Sequence, residues 1–517
     1  MSGSGNPYAA GAVRSSALAY LSGRAVSALL TFSAFALAAR VLPLEAYGTY
    51  IATLATVDTG LALSTAGLDW VAARILPEYR LHAGGRAIIG VVARLSGLQT
   101  ALYACAGAAL YFHAEPFARL LRMEGAGTAL SLAGGLLGVE GFGRLCRDQM
   151  LGTLMRQGAA QSSQVLRSGV LASLLGSDWL AGREIAALDA VRYELTASCG
   201  SAILAGLLLL RELYAIYYRS TPSGNWTPPR PRQLVKLAVN THISCLLAFA
   251  YGSQMLTLIV ARVLGAEAAA VFGFSTNFSD QVRRYLPTDL LRSVIQPTLI
   301  AFFSRRRDFG GFMVRLGIWF KSSMILLMPV IVYFIAFGGM GATLLGGERF
   351  REAGAIVALM LVAAGFAPLR RVVELSCNVV LATDLYVRWG FWLLAVPVVA
   401  VFLLTSGGSL TELIMLVIGS EAFFNFGIIL ALRRRGYPFR LAWGGLLRLA
   451  VWYGVGVGVL VWSGPLVHFD MPTSVAVCLL LGAVGTVIAK PLSAAEAALV
   501  ADWSPRGARL LSRTPAA

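Results

Sequence analysis

With 517 residues, 57% of them hydrophobic and 13% charged, and a mean hydropathy of +0.70, the chain is too apolar and too poor in charge for a water-soluble globule. It reads as an all-α polytopic membrane protein. The net charge of +17 turns on where each Lys and Arg lies, and six dispersed cysteines with no Cys-x-x-Cys pair point to neither a zinc site nor a disulfide framework.

A membrane-crossing helix needs about 20 mostly apolar residues. Fourteen stretches qualify: residues 18–42, 47–70, 87–112, 126–143, 158–177, 185–210, 235–264, 270–302, 311–337, 353–369, 386–404, 410–432, 441–462 and 472–489. The fourth, fifth and tenth are short, which sets the range at twelve to fourteen. Ala36-Leu37-Ala38 would suit a signal peptidase, but cleavage there would cut into a repeat, so the first stretch reads as a retained helix.

That repeat appears on sliding the sequence by 222 positions. Ala39-Arg40-Val41-Leu42 then falls on Ala261-Arg262-Val263-Leu264, Glu45-Ala46 on Glu267-Ala268, and Tyr50 on Phe272. In each copy an apolar run ends in Arg, turns at Pro43 or Gly265, and a second apolar run begins. The expected organisation is a six-helix bundle over 1–213, a linker over 214–233, a second six-helix bundle over 234–435, two additional helices over 436–490, and a tail over 491–517. The linker holds Ser220-Thr221-Pro222-Ser223-Gly224 and Pro228-Pro229-Arg230-Pro231, a flexible, basic cytoplasmic strap. Six spans per copy is an even number, so both copies enter the membrane the same way up, about an axis along its normal, with a cavity between them. The tail reads as a segment on the inner surface.

Basic residues give the orientation. With the amino terminus inside, 26 of the 43 Lys and Arg fall in inner segments and five in outer ones, namely Arg119, Arg122, Arg183, Arg349 and Arg351. This asymmetry satisfies the positive-inside rule and puts both termini in the cytoplasm. Most of the charge is thus topology and contact with anionic lipid, and nucleic acid is not an expected partner. No soluble catalytic domain, cofactor motif or metal-ligand set is present. The mid-span series Gly454, Gly456, Gly458 reads as helix packing.

Twelve basic residues remain inside spans, each costing about 2.5–3.5 kcal/mol at a helix centre on insertion scales. Arg40 and Arg262 end their helices and can snorkel or pair with Glu45 and Glu267, and Arg315 and Arg448 lie near the inner surface. The eighth span has no such explanation. It contains Asn277, Asp280, Gln281, Arg283, Arg284, Asp289, Arg292 and Gln296, with Pro287 in its middle to kink or split it. A helix this polar lines water or binds something. Asp280 can pair with Arg283 or Arg284, but three Arg outnumber two Asp, which leaves positive charge for an anion. In the second span Asp58 is placed to titrate or hold a coupling cation, or to be structural, and Asp69 to pair with Arg74. Arg24 either snorkels or binds substrate. His242, beside Asn240, is either a satisfied core group or a ligand. Arg192 and Glu194 read as a structural pair.

The stretches Arg40-Val41-Leu42-Pro43-Leu44-Glu45-Ala46-Tyr47-Gly48-Thr49-Tyr50, Ala73-Arg74-Ile75-Leu76-Pro77-Glu78-Tyr79-Arg80 and Leu344-Leu345-Gly346-Gly347-Glu348-Arg349-Phe350 resemble the polysaccharide transporter family. These are bacterial flippases of undecaprenyl-pyrophosphate-linked oligosaccharides, in the multidrug/oligosaccharidyl-lipid/polysaccharide exporter superfamily. The resemblance covers residues 15–435. It implies a non-enzymatic flippase of the inner membrane, serving O-antigen, capsule or exopolysaccharide synthesis, with a polysaccharide polymerase as a candidate partner. It also implies that spans one, two, seven and eight border the cavity. Arg24, His242, Asn277, Asp280, Arg283, Arg284 and Arg292 are the candidate substrate-binding residues and Asp58 the candidate ion-coupling residue. The charged eighth span and the connection from Cys377 to Asp384 depart from the family's more neutral pattern. The rival readings are a cation-coupled multidrug exporter of the same fold and a membrane polysaccharide polymerase or ligase.

Overall fold

The computed structural model describes residues 10–123, 125–219, 231–380, 382–463, 469–501 and 505–512. Among them there is no β-strand, only an isolated bridge between Leu492 and Ser512. The helices are α1 (Ala10–Val41), α2 (Leu44–Ser64), α3 (Leu68–His82), α4 (Gly85–Phe112), α5 (Ala114–Leu120), α6 (Gly127–Arg144), α7 (Gln157–Leu180), α8 (Ala187–Arg219), α9 (Pro231–Ala250), α10 (Ser253–Leu264) and α11 (Ala266–Arg284). A π-helical turn, Leu145–Leu151, continues α6. Then come α12 (Pro287–Leu290), α13 (Arg292–Arg306), α14 (Phe309–Gly346), α15 (Ala353–Ala364), α16 (Phe366–Val379), α17 (Thr383–Trp392), α18 (Ala395–Thr405), α19 (Leu410–Arg434), α20 (Trp443–Ser463), α21 (Met471–Ala489), α22 (Ala494–Ala501) and α23 (Pro505–Leu511).

Each of the fourteen expected spans corresponds to one of these helices or to a broken succession of them. Among the described residues nine stretches are, on their own, long and apolar enough to cross a membrane, or ten if α2 and α3, bent by 56°, count as one span. The chain is a multi-pass membrane protein. The expected fourth, fifth, seventh and eighth spans fall short for physical reasons: Glu140 and Arg144 in α6, Arg167 in α7, a break at Tyr251–Gly252, and another at Tyr285–Leu286.

Both copies of the repeat turn at the equivalent place, by different means. Pro43 makes the turn between α1 and α2 with ψ of 154°, whereas Gly265 makes the turn between α10 and α11 with φ of 90°, a left-handed value that favours glycine. Close approach is built in at the same point. A Cβ on Gly48 would lie 1.8 Å from the Ala266 carbonyl oxygen, and one on Gly273 would lie 2.3 Å from Ile51 Cγ2. Ile51 and Gly273 are equivalent under the 222-residue shift, so the copies meet at corresponding positions. The second helix of each copy also breaks at a matching point, after Ser64 in one and after Arg284 in the other.

The chain divides into two compact units, Met1–Gly273 and Phe274–Ala517. In the first, α9 packs on α3 and α10 on α2, so the opening helices of the second copy are built into this unit. Its core gathers Ile88, Leu136, Leu137, Leu145, Met150 and Leu151. The helix α8 runs on to Arg219, through the first residues assigned to the strap, and α9 begins at Pro231. The strap's Ser220–Gly224 and Pro228–Pro229 lie outside the described residues. Of the glycine series in α20, Gly456 packs tightly on Leu481 of α21, while Gly454 and Gly458 have no neighbour there.

The second unit corrects the reading of the tail. Residues after α21 do not simply lie along a surface. Glu496 of α22 is 2% exposed, and its Oε2 accepts from Lys321 Nζ of α14 at 2.5 Å and from the Ser493 amide at 2.7 Å. Lys321, 1% exposed, also donates to the Pro491 carbonyl at 2.9 Å. Arg448, expected to snorkel, instead donates to the Ala489 and Lys490 carbonyls, each at 2.9 Å. Two glycines make room: a Cβ on Gly317 would meet Glu496 Oε1 at 2.5 Å, and one on Gly445 would meet the Pro491 oxygen at 2.0 Å. Removing one member of such a buried pair strands the other charge, whereas replacing both with apolar groups is close to neutral. Lys321→Met or Glu496→Leu alone should therefore lower unfolding stability by about 3–5 kcal/mol, and the double variant should recover most of it, as measured by thermal or denaturant unfolding of the protein in detergent.

Candidate functional site

In the first unit, four helices are joined by a buried ionic network. Glu140 of α6 and Glu194 of α8 are each 4% exposed. Arg167 of α7 lies between them, donating from Nε to Glu140 Oε2 at 3.0 Å and from Nη2 to Glu194 Oε2 at 2.7 Å. Ser198 donates to Glu140 Oε2 at 2.9 Å, and Tyr50 of α2 donates to Glu194 Oε1 at 2.7 Å. Arg144, one turn beyond Glu140, donates to Glu140 Oε1 at 2.8 Å and to Asp58 Oδ1 of α2 at 2.9 Å. Asp58, the candidate ion-coupling residue, thus sits at the end of this network as the partner of Arg144.

Several sequence-based pairings are replaced. Glu194 pairs with Arg167 and not Arg192, which instead reaches Asp189 at 2.9 Å. Arg74 takes Glu78, at 3.3 Å, because the two are one helical turn apart on the same face. Asp69 lies in the first turn of α3, which packs on α9, the helix that carries His242. Arg40 lies over the Trp179 ring, and Arg315 caps the Gly311 carbonyl and covers the Phe302 ring at 3.8 Å. Arg147, counted as an inner-segment residue, is 5% exposed inside the π-helical turn and holds Asp148 at 3.0 Å.

Of the other candidates in this unit, Arg24 is half-buried on α1, which packs along α7. His242 is half-buried on α9, and its Nδ1 is buried without a hydrogen-bond partner among the described residues.

The second unit holds the rest of α11 and the break that follows. Ser279 donates to the Met360 carbonyl at 3.0 Å and Phe274 stacks on Phe350 at 4.4 Å, fixing α11 against α15 and the turn before it. Asn277 is half-buried. Asp280 pairs with Arg283 at 3.4 Å, as the helical spacing suggests; Arg283 and Arg284 are both exposed. The helix ends there. Pro287 opens α12 instead of kinking a continuous helix, which is where a residue lacking an N–H is tolerated. A break frees backbone groups that apolar surroundings would penalise. Trp319 of α14 donates its indole N–H to the Pro287 carbonyl at 2.8 Å, and Ser323 accepts the Thr288 amide at 3.1 Å.

Beyond the break, Arg292 donates to Gln296 Oε1 at 3.1 Å and approaches Glu374 of α16 at 3.7 Å. Arg371 holds Asp289 at 3.1 Å and Glu374 at 2.9 Å. Arg292, Gln296, Arg371 and Glu374, with Trp319, Leu375 and Asn378, line a shallow, partly open recess. Asp289 is therefore held by Arg371. From Asp280 to Arg292, together with Arg371 and Glu374 of α16, Arg283, Arg284, Arg292 and Arg371 outnumber Asp280, Asp289 and Glu374. Arg371 and Glu374 were missed as members of this group because the expected tenth span stopped at residue 369. The network residues Glu140 and Arg144 carried a signal, opposite charges four apart within an apolar stretch.

The two groups of charges have different mechanical roles, and stability separates them. Arg167→Met takes the guanidinium from Glu194, leaves Glu140 to Arg144, and should cost about 3–5 kcal/mol of unfolding stability, whereas the exposed Arg283→Ala should stay within about 0.5 kcal/mol of wild type by the same unfolding measurement.

No family model matches the sequence, and no curated protein does. Solved structures are similar. A lipid II flippase MurJ in an inward closed conformation superposes with a TM-score of 0.64 at 12% identity, over 91% of this chain and 97% of that one. An inward-facing multidrug resistance MATE family transporter of the MOP superfamily superposes with a TM-score of 0.58 at 13% identity, over 81% of this chain and 98% of that one. At these identities the likeness is one of fold.

Proposed function

We propose that the chain is a flippase that moves an undecaprenyl-pyrophosphate-linked oligosaccharide from the inner to the outer leaflet of the bacterial inner membrane by alternating access, with both termini cytoplasmic. The observation that carries this reading is the excess of guanidinium groups at the broken α11–α13 segment, within a fold shared with a lipid-translocating protein. Such groups form charge-assisted, bidentate contacts with phosphate oxygens. Exposed Arg283 and Arg284 take the diphosphate, and the recess at Arg292 and Gln296 offers polar contacts to the group attached to it. The diphosphate exchanges water for guanidinium, and this offsets a desolvation that hydrocarbon alone would not allow. No covalent step is involved. A polysaccharide polymerase would receive the product.

The multidrug-exporter alternative draws on the second structural likeness and on the acidic side of the first unit's network, where Asp58, Glu140, Asp148 and Glu194 outnumber Arg144, Arg147 and Arg167. A polymerase or ligase would need a sizeable outer domain, and the segments around α5 and between α14 and α15 are short.

The reading is tested in a deletion strain complemented with wild type or Arg283→Ala/Arg284→Ala at matched protein levels, with lipid-linked precursor assayed by leaflet. Precursor should accumulate on the inner leaflet in the deletion and in the double variant, with surface polysaccharide reduced at least tenfold. Normal export in the deletion strain overturns the flippase reading and favours the exporter.

A further inference from the structure

A second cluster of polar groups lies in the first unit at the bend between α2 and α3. It is built from four elements. Asp69 stands in the first turn of α3; Ser96, Gln99 and Tyr103 line one face of α4 at helical spacing; Gln149 comes from the π-helical turn; and His242 comes from α9. The helix α3 packs on all three of the other elements. The Tyr103 hydroxyl accepts the Gln99 amide N–H at 2.7 Å. With its NH2 group given to Tyr103, Gln99 keeps its amide oxygen for another partner.

Asp69 Oδ1, Gln99 Oε1, Gln149 Oε1, Ser96 Oγ and His242 Nδ1 are all buried, and none has a hydrogen-bond partner among the described residues. Gln99 is fully enclosed. The four oxygens carry lone pairs, as does the imidazole nitrogen when the ring proton is on Nε2, and three of the oxygens are carbonyl or carboxylate oxygens that accept. A π-helical turn, rare in itself, supplies one of them.

We propose that this cluster binds a small monovalent cation of sodium size. One carboxylate balances one positive charge, and amide, hydroxyl and carboxylate oxygens are the donors that hard cations take. No three His, Cys, Asp or Glu side chains come together among the described residues, so a transition metal lacks a ligand set. The titratable groups around Asp69 are His242, Tyr103 and Cys245. Nearby guanidinium charge is already committed: Arg144 to Asp58 and Glu140, Arg147 to Asp148. The backbone explains why the site falls here. Gly67, with φ of 69°, makes the bend, and a Cβ there would meet the Ala238 carbonyl oxygen of α9 at 2.1 Å, so α9 is drawn in against the start of α3. Occupancy ties α3, α4, α9 and the π-helical turn together, whatever cargo the chain carries.

The test uses the full-length protein in detergent at pH 8, with thermal unfolding followed by tryptophan fluorescence. NaCl is titrated against choline chloride at constant ionic strength. Sodium should raise the wild-type Tm by about 2–4 °C at saturation. Asp69→Asn and Gln99→Leu should each abolish that sodium-specific rise, while Glu348→Gln, in an exposed ion pair of the second unit, should retain it. Two variants are used because either alone could destabilise the fold; the wild-type contrast between sodium and choline needs neither. Equal Tm in sodium and choline for wild type overturns the proposal, including the case where Tm follows pH alone, which would mark a protonation site. An undiminished sodium response in Asp69→Asn overturns it as well. Neither result bears on the leaflet assay, so the two readings fail separately.

Discussion

A charge held inside an apolar bundle must find a partner, and the architecture of this protein depends on how that requirement is met. In the first unit it is met by sharing. Arg167 serves two carboxylates on two other helices, and Arg144 serves two more oxygens on α6 and α2. The contribution of any one pair to stability is modest, because desolvation cancels most of the attraction. The penalty for mispairing is large, and so the network fixes the register of α2, α6, α7 and α8 more than it strengthens their packing. The clasp of Lys321 and Glu496 applies the same rule to the tail, where the ammonium also takes a carbonyl and the carboxylate also takes an amide.

At the break between α11 and α12 the same requirement is left open. Its backbone is satisfied by Trp319 and Ser323, and Asp289 is drawn away to Arg371. What remains is a guanidinium excess on a segment whose helix has ended, so that Arg283 and Arg284 emerge exposed instead of being packed. A surface with this composition suits an anion that must leave water. The proposed flippase uses this excess of guanidinium charge.

Much of this was legible in the sequence. The hydropathy pattern located the helices, of which nine or ten stretches among the described residues suffice to cross a membrane, and the 222-residue repeat anticipated a turn that Pro43 and Gly265 make by different dihedrals. The polarity of residues 277–296 singled out the broken segment, and the Asp280–Arg283 spacing foretold their contact. What could not be read were partners on other helices. Glu194 has an oppositely charged neighbour two residues away, but side chains two apart on a helix point to different faces, so the pair fails and Arg167 takes its place. Arg144, Arg147, Arg370 and Arg371 looked like inner-loop charges because they flank apolar runs. They belong to helical turns, and their ion pairs depend on tertiary packing. Glu496 gave no signal at all, since nothing local distinguishes a carboxylate that will fold back onto Lys321.

The most direct measurement is native mass spectrometry of the purified protein incubated with undecaprenyl pyrophosphate and with the uncharged polyprenol of the same length. The account predicts that wild type retains the diphosphate lipid in preference to the polyprenol, and that Arg283→Ala/Arg284→Ala loses this preference while remaining folded. Equal retention of the two lipids by wild type, or an unchanged preference in the double variant, would contradict the assignment of the broken helix as the anion site.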